Sequence, residues 1–192
     1  MEDSTKPLIL EADLLVIGWG KAGKTLARDL ASSGRRVVLV ERDDTMIGGT
    51  CINVACVPTK TLVNLAERRG DREPDEYLKQ AIASRDALID RLRAANKAML
   101  SSLETVTLVH GEARFTGPRR VRVQAGEETL DITAGAVVIN TGTSPLMPGI
   151  PGIDGKFVHD STTIQHIADG KVPRSLTIVG GGFIGLEFAS MF

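Results

Sequence analysis

Cys51 and Cys56 are the two cysteines of the chain, and they stand five positions apart in Gly48-Gly49-Thr50-Cys51-Ile52-Asn53-Val54-Ala55-Cys56-Val57-Pro58-Thr59-Lys60. A disulfide needs Cα atoms roughly 4.4–6.8 Å apart, whereas five residues of regular helix advance roughly 7.5 Å along the axis. A bridge is therefore feasible only in a loop or a distorted first turn, which the preceding glycines permit. A helix N-terminus would also favour a thiolate and raise its reactivity. The pair reads as a reactive dithiol. Two plainer readings compete: small hydrophobes buried in a core, or two ligands of a metal. The second is weakened because there is no further Cys pair and His110, His159 and His166 lie far away in sequence. A closed zinc site is not supported.

The elements that must position these thiols are legible upstream. Leu14-Leu15-Val16-Ile17 is an apolar run of strand type that leads into Gly18-Trp19-Gly20-Lys21-Ala22-Gly23. A helix is expected from Lys24 to Ser33, with Leu26, Ala27 and Leu30 on one buried face, stopped by Gly34. Val37-Val38-Leu39-Val40 then reads as a second buried strand ending at Glu41, 18 residues beyond the third glycine. This is the strand–turn–helix–strand setting in which G-x-G-x-x-G binds a dinucleotide. The glycines let a pyrophosphate approach the backbone, the helix N-terminus faces its charge, and the acid can accept from a ribose. The device recurs: Leu176-Thr177-Ile178-Val179 precedes Gly180-Gly181-Gly182-Phe183-Ile184-Gly185, and Leu186 to Ala189 has helical character. Two fingerprints and a cysteine pair imply two dinucleotides and a dithiol in one machine.

With these residues in view, the chain resembles the class I pyridine nucleotide–disulfide oxidoreductases, the family of glutathione reductase, dihydrolipoamide dehydrogenase and mercuric reductase. Gly48 to Lys60 matches that family's G-G-T-C-x-N-x-x-C-x-P-[ST]-K segment at every fixed position, and the resemblance runs from Leu14 to Phe192. Gly18–Gly23 matches the FAD fingerprint and Gly180–Gly185 the NAD(P) fingerprint. Asn140-Thr141-Gly142-Thr143 resembles the A-T-G segment that packs on FAD, with Asn140 in place of the usual Ala. Trp19 and Lys21 depart from the small residues common inside the first fingerprint, and neither removes a required glycine. The stretches after both fingerprints look closest to a branch related to mercuric reductase, which includes bacterial reductases protecting against reactive chlorine and copper.

The resemblance implies an α/β fold: a Rossmann-like FAD-binding domain over residues 8–172 with a parallel sheet and an inserted β-meander, then the start of a second Rossmann-like, NAD(P)-binding domain over residues 173–192. It implies that electrons pass from NAD(P)H through FAD to a Cys51–Cys56 disulfide, and on to a disulfide, Hg(II), Cu(II) or similar acceptor. Cys56 would be the thiol against the flavin and Cys51 the outer thiol that attacks substrate. Lys60 would stabilise the reduced ring and pair with Glu187, and Phe183 would stand where an aromatic gate covers the nicotinamide. Gly18, Gly20, Lys21, Ala22, Gly23, Glu41, Arg42, Gly49, Thr50, Lys60, Ala113, Thr141, Gly142 and Thr143 would serve FAD, with Ala113 meeting the adenine through its backbone. Gly180, Gly182, Phe183, Ile184 and Gly185 would serve NAD(P)H. The intact protein would be a homodimer through a C-terminal domain.

Composition adds limits. A net charge of −1 shows no basic footprint for nucleic acid. Met1 to Pro7 lacks a positive n-region followed by an apolar stretch, and no run approaches the roughly 18 apolar residues of a membrane span. Cytoplasm is the expected compartment, where a dithiol is redox-active more often than structural. Apolar residues from Leu78 to Leu103 recur at helical spacing, interrupted by Arg85 and Asn96, and read as a long helix covering the first unit. Strands are expected at Val106–Val109, Arg120–Gln124, Thr129–Thr133 and Ala136–Ile139, forming the meander. Pro145 to Pro151 reads as a crossing out of the sheet. The chain ends about seven residues into the helix after the second fingerprint and so looks like an N-terminal fragment. Its alternative to a working reductase is a non-catalytic piece that at most binds FAD. The genomic reading frame separates the two: several hundred further codons or a stop after Phe192.

Overall fold

Strand β1 (Leu8–Ile17) is ten residues long because it serves two neighbours. Its last four residues pair in parallel with β2 (Val37–Glu41), while nearly its whole length pairs in parallel with β6 (Glu128–Ile139). The computed structural model describes residues 7–167 and 171–192; the polar N-terminal residues 1–6 and residues 168–170 lie outside the described residues. Six strands form one sheet in the order β3-β2-β1-β6-β5-β4, with β3 (Val106–His110) parallel to β2, and β4 (Glu112–Gly117) and β5 (Arg120–Ala125) added antiparallel. Val37 to Val40 are all buried, as expected of a strand covered on both faces. The chain packs as two compact units, Met1–Asn53 with Leu92–Gly142 and Val54–Arg91 with Thr143–Phe192.

In the first unit, helix α1 (Lys21–Ser32) begins three residues earlier than the sequence suggests, directly after Gly20. Its buried face is Gly23, Ala27 and Ala31, while Leu26 is exposed. Small residues at i, i+4 and i+8 let the helix lie close on the sheet: a Cβ at Gly23 would stand 2.6 Å from Val16 Cγ1 of β1. Val106–His110 belongs to the parallel sheet and not to the meander, which is built from β4, β5 and β6. The two short strands expected at Thr129–Thr133 and Ala136–Ile139 are one strand. Gly135 lies inside that strand, close against β1, since a Cβ there would be 2.9 Å from Asp13 O.

A one-turn 3-10 helix (Asp44–Met46) and the short helix α2 (Thr50–Asn53) follow β2. Asp43 caps the 3-10 turn, accepting from Thr45 N at 2.8 Å and Thr45 Oγ1 at 2.6 Å. These bonds hold its carboxyl below the usual carboxylate range. A depressed native pKa contributes stability that is present above the ordinary carboxylate pKa of about 3.9 and is lost as pH falls below it. Asp43→Ala is therefore expected to cost about 1 kcal/mol at pH 7 and nearly nothing near pH 2. Urea unfolding at both pH values checks this; an equal cost at both would refute the cap.

The second unit contains α3 (Cys56–Glu67), the first part of α4 (Pro74–Ser101) and α5 (Phe183–Met191). On α4, Tyr77, Ala81, Arg85 and Ile89 follow one another at i+4 and are all buried, so Arg85 lies within the apolar stripe it was expected to interrupt. Its guanidinium is satisfied by Asp86 Oδ1 and by Gln165 O at 2.5 Å, with His166 Nδ1 alongside, which is what a buried charge requires. Leu176–Val179 is not a strand, because no described strand pairs with it, and Val179 is 76% exposed.

Candidate functional site

The first fingerprint closes on itself around Asn140. Gly18 has φ +95°, a conformation that glycine alone adopts readily, and a Cβ there would run into the Asn140 carbonyl. Asn140 Nδ2 donates to Gly18 O at 3.2 Å, and its amide fills the space a side chain would need at Gly20 (2.7 Å) and Gly23 (2.6 Å). Gly49, at φ +77°, abuts the Gly20 backbone, where an added Cβ would lie 2.6 Å from Gly20 Cα. Gly142 stands beside Thr50, its would-be Cβ 3.1 Å from Thr50 Oγ1. Fingerprint, cysteine-loop start and Asn140–Gly142 thus meet at one point, although they come from three distant parts of the chain. Asn140 is the residue whose importance the sequence understates; its one signal is that it stands in place of the small residue usual there.

Helix α1 starts at that junction with Gly20 as N-cap, no side-chain cap and no acidic residue in its first turn. Its first N–H groups are unclaimed by any capping side chain, the arrangement that receives a phosphate. Lys21 and Ala22 are exposed there. Across from it, the Glu41 carboxylate at the end of β2 accepts from Trp19 N at 2.9 Å, Arg42 N at 2.9 Å and Asp43 N at 3.2 Å. These bonds hold it at the strand end, and a carboxylate retains further acceptor positions for a ribose. Gly111 N donates to Glu41 O, which brings Ala113, on β4, to the same strand end. The donor set and the glycine-lined junction fit the ADP half of FAD. Thr141 is exposed beside Gly142.

Lys24, one turn into α1, donates through Nζ to Asn96 Oδ1 of α4. Burial pulls its ammonium below the ordinary lysine range, Lys21 adds to that, and Cys51 acts in the opposite direction. Cys51 is half-buried on α2, and its thiol is not bridged.

In the second unit, Cys56 is the first residue of α3, exposed and likewise a thiol. Helix α3 has no side-chain cap and no acid in its first turn. One turn further on, Lys60 Nζ forms an ion pair with Glu187 Oε1 of α5, the contact that the resemblance implies. Helix α5 opens at Phe183 with Gly182 as an uncapped N-cap, and Cβ atoms at Gly180, Gly181 and Gly182 would meet only open space. Gly185 packs tightly on Ile178 Cγ2 at 3.0 Å. Phe183 is 77% exposed and Ile184 48%, so neither is a core residue, and Thr143 is exposed. Among the described residues no group of three or more His, Cys, Asp or Glu is placed to hold a metal ion, and no helix is long and apolar enough to cross a membrane.

Comparison with known proteins bears on what such a junction serves. The family model described as pyridine nucleotide-disulphide oxidoreductase matches residues 12–192. The chain is 41% identical over 179 residues to the probable pyridine nucleotide-disulfide oxidoreductase RclA of Escherichia coli K12, covering 93% of this chain and 39% of that protein. It is 35% identical over 193 residues to the mercuric reductase of Streptomyces lividans, covering 94% and 40%. The solved Cu(II) complex of the HOCl-induced flavoprotein disulfide reductase RclA from Escherichia coli superposes with a TM-score of 0.85 at 40% identity, over 94% of this chain and 40% of that one. The chain thus spans about 40% of the length of the relatives it matches.

Proposed function

The chain belongs to the pyridine nucleotide–disulphide oxidoreductase family, and from that premise we propose that it is the cofactor-binding and dithiol part of an NAD(P)H-dependent flavoprotein reductase. The observation that carries this is the convergence of Gly18, Gly20, Gly23, Gly49 and Asn140 at the uncapped start of α1, with Glu41 fixed opposite. Residues 8–172 form the FAD-binding part and residues 173–192 open the NAD(P)-binding part. Gly20, Lys21, Ala22 and Gly23 hold the pyrophosphate, Glu41 the ribose, with Arg42 beside it, and Ala113 the adenine side. Gly49, Thr50, Thr141, Gly142 and Thr143 line the approach to the ring, and Gly180, Gly182, Phe183, Ile184 and Gly185 receive NAD(P)H.

Bound FAD would relay the electron pair of NAD(P)H to the Cys51–Cys56 disulfide. Opening that disulfide leaves Cys51 as the exchanging thiol and Cys56 as its inner partner. Lys60, paired with Glu187, supplies fixed positive charge at the α3 end. The acceptor is a disulfide, Hg(II), Cu(II) or a similar species, a choice supported by the names of the mercuric reductase and RclA relatives. The intact protein works in the cytoplasm as a homodimer.

The test is direct. Protein purified from the full reading frame is expected to be yellow and to bleach with NADH or NADPH. Alkylation before and after reduction, read by mass spectrometry, is expected to show two labelled thiols only after reduction. Two freely alkylating thiols in air-oxidised protein would sink the dithiol assignment, and colourless protein would sink the flavin.

A further inference from the structure

Lys24 is a half-buried ammonium whose hydrogen-bond partner is neutral. Its Nζ donates to Asn96 Oδ1. The Asn96 amide is turned to present that oxygen because its Nδ2 donates to Leu92 O at 2.7 Å. Among the described residues no carboxylate forms an ion pair with Lys24. A partly desolvated charge without a counter-charge is costly, so an anion nearby would be favoured.

Backbone geometry supplies a candidate for that anion. Gly49 abuts Gly20 so closely that no Cβ fits between them. Helix α1 starts at Lys21 and α2 at Thr50, one residue after each side of this contact. Lys24, one turn into α1, and Cys51, second in α2, therefore flank one junction, and Cys51 is among the groups that act electrostatically on Lys24. The other charges around α2 in this unit are of both signs: Asp43, which feels the Arg93 charge, and Asp44 stand on the 3-10 turn packed against α2. Lys21 lies exposed on α1, and Arg93 of α4 donates to Asn53 Oδ1 at 3.2 and 3.0 Å.

We infer that Lys24, held by Asn96, is a positioning residue that keeps the Cys51 sulfur as a thiolate once the dithiol is reduced. The inference rests on the proposed role of Cys51 as the exchanging thiol. The Cys51 proton goes to solvent and Lys24 keeps its own. Lys24 is distinct from Lys60, whose charge is matched by Glu187.

The experiment uses the protein carrying Cys56→Ser, so that Cys51 is its single thiol, and follows the iodoacetamide rate against pH at low salt. Lys24→Met is expected to raise the midpoint by about one pH unit, a roughly tenfold slower reaction below both midpoints. Lys24→Arg is expected to keep the midpoint, and Lys97→Met, an exposed charge on α4, to leave it unchanged. Asn96→Asp, which would give Lys24 a carboxylate, is expected to raise the midpoint as well and serves if Lys24→Met does not fold. An unchanged midpoint in folded Lys24→Met or Asn96→Asp would overturn the inference. So would loss of flavin from Lys24→Met with the midpoint intact, which would assign Lys24 to the pyrophosphate. Alkylation needs neither flavin reduction nor an acceptor. Failure of the redox proposal would show separately, as absence of a disulfide when both cysteines are present.

Discussion

Gly20→Val is expected to leave the full-length protein colourless and measurably less stable. The reason is space and not backbone conformation: Gly20 has φ −64°, which any residue adopts. A Cβ there would instead stand 2.7 Å from Asn140 Nδ2 and 2.9 Å from Asn140 Oδ1. Val would have to displace the amide that also bonds Gly18 O, opening the junction on which the pyrophosphate would rest. Overpacking of this kind costs about 1–3 kcal/mol. The flavin-to-protein absorbance ratio and the thermal midpoint report the two effects. Gly20→Ala combined with Asn140→Ala separates their causes. Removing the amide is expected to restore most of the stability and flavin lost in Gly20→Ala alone. Stoichiometric FAD in Gly20→Val would refute the assignment of the first fingerprint. Failure of the double variant to recover either quantity would refute the role of Asn140.

Lys60→Met is expected to slow flavin reduction by NAD(P)H by about 10²-fold, the scale for losing one preorganised electrostatic partner. Glu187→Gln is expected to do less, about tenfold, because Lys60 keeps its charge and loses only its orientation. Neither should cost much stability. The Lys60 side chain is 65% exposed and that of Glu187 29%, and a pair open to solvent contributes at most about 1 kcal/mol. Stopped-flow reduction followed at the flavin band, set beside thermal melts, gives the decisive split. A Glu187→Gln protein with normal reduction and a lowered melting point would mean that the pair only fastens α5 to α3.

Most of the groups capable of chemistry are legible in the sequence. Periodicity and turn residues mark β1, β2, the long helix and both fingerprints, because glycine spacing and strand–helix alternation are local properties of a chain. The dithiol segment is likewise local, whereas the pairing of Lys60 with Glu187 follows from the resemblance alone. Where local signals failed, non-local packing was the reason. Leu26 looked like a core residue, yet α1 turns Gly23, Ala27 and Ala31 inward, since only small residues let a helix lie so close to Val16. Thr129–Thr133 and Ala136–Ile139 read as two short strands, yet they are one, because both pair in parallel with β1. Val106–His110 looked like the first strand of a meander, and only its pairing with β2 assigns it to the parallel sheet. Leu176–Val179 had the composition of a strand, but a strand exists only where another pairs with it. Arg85 and Asn140 carry the same lesson at the level of single side chains. One polar group is buried because Gln165 O, Asp86 and His166 meet it. The other fills the space left at Gly20 and Gly23 and bonds Gly18 O, 122 residues away. Sequence spacing records which groups can do chemistry, whereas tertiary structure alone decides which groups touch.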